Sequence, residues 1–241
     1  MILGKYSIEI IYNTMIRLLF TALFFLVTTS ANCQSSDNED FEKTTGIWYM
    51  LFYHKQFSGS QFGIQGDFQE RNWDLDGDFE QRLIRNGLTF KPKDSNLLFT
   101  LGYGNIQSGV FGSDASRTKE HRIYQEALIP WKISDRVSTA HRYRFEQRWI
   151  EENTMKTRHR YNLFLNIALN QNSFEKGTIY LALYGELFLY SWDIIVDRLR
   201  VYSAIGYEFA QGSKLQFGVM RQYVSSIPKN QLQLSLHRSI K

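Results

Sequence analysis

The chain has 241 residues, with 28 basic and 24 acidic side chains, a net charge of +4, five histidines and one cysteine. So small a net charge, with no dense basic tail, argues against a nucleic-acid binder, and a lone cysteine excludes an internal disulfide framework. A mean hydropathy of −0.34 is too polar for a bundle of membrane helices, but a membrane barrel averages lipid-facing against lumen-facing side chains and is not excluded.

The first element is a targeting segment. An apolar run from Leu18 to Val27 follows Arg17 and precedes Thr28, Thr29, Ser30 and Ala31. Basic head, short apolar middle and small-residue tail form a secretory signal, and the run is about half of the ~20 residues a spanning helix needs. Residues 1–33 are read as this signal, with Met15 a better start than Met1 because it sets Arg17 near the N-terminus. Cleavage after Cys33 competes with lipidation of Cys33, whose flanking Ser30 and Asn32 fit a lipoprotein signal poorly. Residues 34–45 are polar and acidic and read as a flexible lead-in to one domain, 46–241.

From Gly46 onward apolar and polar residues alternate with period two, the strand signature. Strands are expected near 46–55, 60–71, 79–91, 96–106, 119–131, 135–149, 156–170, 177–190, 197–209, 214–224 and 230–240. Many exceed the five or six residues usual in soluble sheets and match the ~9–11 that cross a bilayer at a tilt. In the strands from 135 to 209, one face is Leu, Ile, Val and aromatic, and the other is Arg, Glu, Asn and Tyr. A soluble sheet would show Lys, Thr and Ser to water. Arginine forks that pair with carboxylates, and bulky tyrosines, suit a crowded lumen. The expected fold is therefore all-β: a single antiparallel up-and-down transmembrane barrel behind a cleaved signal.

Eleven strands count poorly, because bacterial single-chain barrels carry even numbers. Ten to twelve strands are expected, twelve preferred. The turns near 58–60, 91–96, 132–135, 170–177 and 211–213 sit close to the apolar bands, whereas the connections near 72–78, 107–119, 150–155, 191–197 and 225–230 lie beyond polar strand extensions. The second set is read as external, which sends the last strand inward but leaves the first strand starting on the wrong side.

The densest polar constellation runs through Arg122, Glu126, Arg142, Arg144, Glu146, Arg148, Arg158 and Arg160, extended by Glu186, Arg198, Arg200 and Glu208. These twelve are read as lumen-facing. With turns centred near 133 and 153, Glu146 would lie beside Glu120 and Arg160, and Arg144 beside Arg122. Such a set either fills the bore as an ion-pair ladder or favours small anionic solutes. His121, His141 and His159 alternate with the arginines and face outward, and neither Ser138 nor Ser203 has the spacing of a triad, so no catalytic residue is assigned. Asp74, Asp76 and Asp78 resemble part of a calcium loop, but Arg85 stands where its glutamate belongs. No metal or cofactor is expected, and the aspartates are read as an external loop. Trp48, Tyr49, Trp131, Trp149 and Trp192 sit near strand ends, where interfacial girdles form.

Gly46-Ile47-Trp48, Glu120-His121-Arg122-Ile123-Tyr124-Gln125, Arg142 to Arg148 and Arg158-x-Arg160-Tyr161 together resemble a family of unknown function, domain of unknown function 2490. The resemblance covers about 45–240 and implies a Gram-negative outer-membrane barrel, often from Bacteroidetes. It implies no catalytic residue. The expected setting is the outer membrane, with outer-membrane lipid and, during biogenesis, the barrel assembly machinery as partners, and no nucleic acid. A non-enzymatic narrow anion-favouring channel or plugged structural barrel leads. A lipid-modifying outer-membrane enzyme and a soluble periplasmic amphiphile-binding β-protein are the alternatives.

Overall fold

The computed structural model describes residues 44–151, 154–190, 196–224 and 227–240. The signal segment, Cys33, the lead-in before residue 44 and Trp192 lie outside the described residues. Among the described residues eleven strands follow one another: β1 (Thr45–Gln56), β2 (Phe62–Asn72), β3 (Phe79–Phe90), β4 (Leu98–Val110), β5 (Ser113–Lys132), β6 (Val137–Ile150), β7 (Thr154–Ala168), β8 (Ile179–Tyr190), β9 (Val196–Ala210), β10 (Ser213–Val224) and β11 (Ile227–Ile240). Each pairs antiparallel with the next, and β1 pairs with β11 to close a barrel.

The closed barrel expected from alternation is present, and eleven falls within the expected ten to twelve. The preference for an even number gives way to a different closure. β1 and β11 run parallel through an eleven-residue register from Thr45↔Asn230 to Lys55↔Ile240. An odd up-and-down sheet returns its last strand in the direction of its first, so the seam must be parallel. Among the described residues the expected strands are neither split nor merged, and with the seam parallel β1 and β11 both begin at one rim, so the chain enters and leaves the barrel at opposite rims.

The two rims differ. At the rim where β1 begins, many outward positions are polar, among them Glu70, Arg82, Asn105, Lys119, Gln147, Arg221 and Asn230, with exposed Met155 and Val196 between them. At the opposite rim, outward Phe62, Phe90, Phe99, Trp131, Ile179, Phe209 and Leu215 reach the turns themselves. Loop length does not separate the rims, since the longest connection, 169–178, lies at the apolar rim. On β8 the outward run Ile179, Leu181, Leu183, Leu187, Leu189 covers ten residue-to-residue steps, about 34 Å along the strand. A strand tilt near 40° makes that about 26 Å in height, the height of a membrane barrel's apolar band.

The interior inverts the usual order. Fully buried residues include more charged and polar side chains than apolar ones, whereas more than thirty large apolar or aromatic side chains are exposed on the outside. An eleven-stranded bore is wider than the eight-stranded one that ordinary side chains just fill. Here it is occupied by Arg, Tyr, Trp and Gln. One lumenal cluster is apolar: Trp48, Tyr180, Ala182, Tyr202, Ala204 and Met220, with Met50, Phe174 and Tyr184 against it. Trp48 thus belongs to the lumen and not to a girdle, because it falls on the same parity as buried Gly46. Two glycines make room for inward tyrosines on the neighbouring strand. Gly102 faces Tyr124 and Gly206 faces Tyr180, and a Cβ on either glycine would come within 2.1 or 2.2 Å of the ring.

Candidate functional site: a buried arginine–carboxylate lattice

Strand register decides which charges meet. Glu146 lies opposite Tyr124 and Arg158, Glu120 opposite Ile150, and Arg144 between Glu126 and Arg160. The sequence-based register is therefore corrected: Arg122 faces Arg148, not Arg144, and Glu146 does not adjoin Glu120. The β5–β6 turn is centred near residue 135 instead of 133, which slides β6 by four positions against β5 and keeps the lumen parity.

Glu146 is wholly buried and serves as a hub. Its carboxylate accepts from Arg158 at 2.7 Å, Arg160 at 2.7 Å and Arg122 at 3.3 Å. Glu186 is a second hub, reached by Arg160 at 2.6 Å, Arg142 at 2.8 Å and Arg200 at 3.5 Å. Glu126 takes Arg144 at 2.5 Å, and Glu120 takes Arg122 at 2.6 Å and Arg148 at 2.8 Å. Arg158 also reaches Asp197 at 3.3 Å. Shared carboxylates are how so many guanidiniums stay inside a low-dielectric interior, since a buried charge must be paired and hydrogen-bonded. Arg160 and Arg158 additionally lie over the Phe188 ring, at 4.5 and 5.0 Å.

Ten of the twelve residues expected in the lumen join this lattice. Arg198 faces the same interior but meets no carboxylate at ion-pair distance among the described residues; its head group reaches Gln222 Oε1 at 3.3 Å. Glu208 stands at the opposite rim, where it accepts the Gly212 N–H and lies 3.5 Å from Lys214. Sequence reasoning passed over Asp67 and Arg85, a buried pair at 2.9 Å on β2 and β3. Alternation in 62–72, where Gln65, Asp67, Gln69 and Arg71 oppose Ile64 and Phe68, carries the signal that could have found them. Glu80 carries no such signal. A register shift between Arg71 and Asn72 turns it inward beside Gln81, where it accepts from Trp48 Nε1 at 2.7 Å.

The outward histidines do not form a catalytic set. Each bonds a tyrosine diagonally across the ladder: His121 with Tyr103, His141 with Tyr161 and His159 with Tyr143. One serine–histidine contact exists in the lumen, Ser235 Oγ to His237 Nε2 at 3.0 Å, with Phe52 stacked on the imidazole. No carboxylate orients that imidazole among the described residues, so the pair lacks the third member of a triad. Asp74 accepts the backbone N–H groups of Gly77 and Asp78 at 2.9 Å, which holds its carboxyl below the usual aspartate range. It closes its own turn, and no group of three potential metal ligands occurs among the described residues.

An apolar exterior around a charged, ion-paired interior defines a closed β-barrel of inside-out design. The chain belongs to the family described as Protein of unknown function (DUF2490), whose profile matches residues 45–233. No curated protein and no solved structure matches it.

Proposed function

We propose that this chain is an outer-membrane barrel that acts as a closed, non-enzymatic structural element. The observation that carries the reading is the inversion of polarity: exposed Leu101, Trp131, Ile205, Phe217 and Val219 outside, wholly buried Glu146 and its arginines inside. Exposed apolar patches on soluble monomers rarely exceed a few hundred Å², and this band runs around the barrel. Lipid satisfies it; water does not. Export by the N-terminal signal and insertion by the barrel assembly machinery follow from that setting.

The lumen favours a plug over a channel. Trp48, Tyr180 and Phe188 are each 1% exposed and Tyr124 2%, so side chains occupy the bore at several levels. Open porins need 16–18 strands for an aqueous channel. The test is twofold. Membrane fractionation and heat-modifiable gel migration should place the chain in the outer membrane as a folded barrel. Purified protein in planar bilayers should then show no stepwise current. Recovery in the soluble periplasmic fraction would overturn the setting, and reproducible anion-selective steps would overturn the plug. Turnover of labelled phospholipid or lipopolysaccharide would establish the enzymatic alternative.

A further inference from the structure

The lattice leaves one corner unbalanced. Toward the rim where β1 begins, a lumenal cavity of about 70 Å³ is lined by eight arginines, Gln81, Leu83 and Phe188, and, among the described residues, by no carboxylate. Five of those arginines (Arg85, Arg122, Arg148, Arg158, Arg160) meet acids that stand outside the lining. The other three are underpaired. Among the described residues Arg71 bonds only the amide oxygens of Gln69 and Gln81, and it lies 3.7 Å over the Trp48 ring. Among the described residues Arg198 bonds only Gln222, and its buried Nε has no partner there. Arg200 lies 5.0 Å from the same Trp48 ring, shares Gln222 Oε1 with Arg198, and reaches Glu186 only at 3.5 Å. Glu80, the acid nearest in register, is held by Trp48 Nε1 and Gln231 and makes no ion pair within 4 Å among the described residues.

Buried guanidiniums that lack counter-ions are costly unless an anion supplies them. The cavity is several times the ~10–15 Å³ that one water requires, so a tetrahedral oxyanion with a few waters fits. Planar forks converging from β2 and β9 suit phosphate oxygens better than a spherical halide. From this geometry we infer that the cavity is a binding site for a compact phosphate-class oxyanion, held by Arg71, Arg198 and Arg200. The ion arrives either free or as an exposed lipid headgroup phosphate. The inference needs the barrel interior alone, so it stands or falls separately from the closed-plug reading.

The full chain, refolded in lipid-free detergent micelles, is titrated with inorganic phosphate by calorimetry and by thermal unfolding, against sodium chloride of equal ionic strength. Phosphate should bind saturably and raise the unfolding temperature beyond the chloride control. Arg198→Gln and Arg71→Gln should each weaken binding about tenfold, the loss of one charge-assisted hydrogen bond, while Arg82→Gln on the outer face should not. Parallel titration in nanodiscs containing phosphatidic acid separates the sources. Reduced phosphate binding there identifies a headgroup, and unchanged binding identifies the free ion. Stabilisation that chloride reproduces, or binding that Arg198→Gln leaves intact, overturns the site. If neither variant folds, the phosphate-against-chloride shift of the wild-type chain decides alone.

Discussion

Replacing Glu146 by Gln keeps the size of the hub and removes its charge. Three arginines at 2.7, 2.7 and 3.3 Å then lose a shared carboxylate in a place with no solvent exposure. Breaking a buried pair by deleting one partner costs about 3–5 kcal/mol. Each arginine here keeps a second acid: Glu120 for Arg122, Glu186 for Arg160 and Asp197 for Arg158. The loss should therefore sit near the lower limit, about 3 kcal/mol. The comparison is Glu70→Gln, which breaks the exposed outer pair with Arg82, side chains 26% and 46% exposed. Surface pairs contribute about 0–1 kcal/mol. The assay is denaturant unfolding in detergent micelles, followed by tryptophan fluorescence and by heat-modifiable gel migration. Equal midpoints for the two variants would refute the view that Glu146 anchors the interior.

Three further outcomes follow from the packing. Leu183→Arg, outward in the middle of β8, should cost about 2–4 kcal/mol in a lipid bilayer and block stable insertion; a neutral or solubilising effect would count against a lipid-facing wall. Gly206→Ala should cost about 1–3 kcal/mol by displacing Tyr180, and the double variant Gly206→Ala/Tyr180→Ala should recover part of that, read by the same unfolding assay. Asp74 carries a depressed carboxyl, so its turn is held fully above the ordinary aspartate pKa and loosens as pH falls through the lowered value. Nuclear magnetic resonance titration of the Gly77 and Asp78 amides should show that midpoint below the usual aspartate range, and loss of the transition in Asp74→Asn.

Much of this protein was legible in its sequence because period-two alternation is a local property. Residues such as Leu181, Leu183, Tyr184 and Glu186 declare their faces without knowledge of any neighbour. The all-β class, the strand spans and the membership of Arg122, Arg144, Glu146 and Arg160 in one interior all follow from that parity. The partners did not. Moving the β5–β6 turn centre from residue 133 to 135 preserves every face yet changes every cross-strand neighbour, so Arg122 meets Arg148 instead of Arg144. The parallel β1–β11 seam, the bulge that turns Glu80 inward and the meeting of Arg71 with Arg200 over Trp48 join residues distant in sequence. Local sequence thus determined which way each side chain points, and closure of the barrel alone decided what it points at.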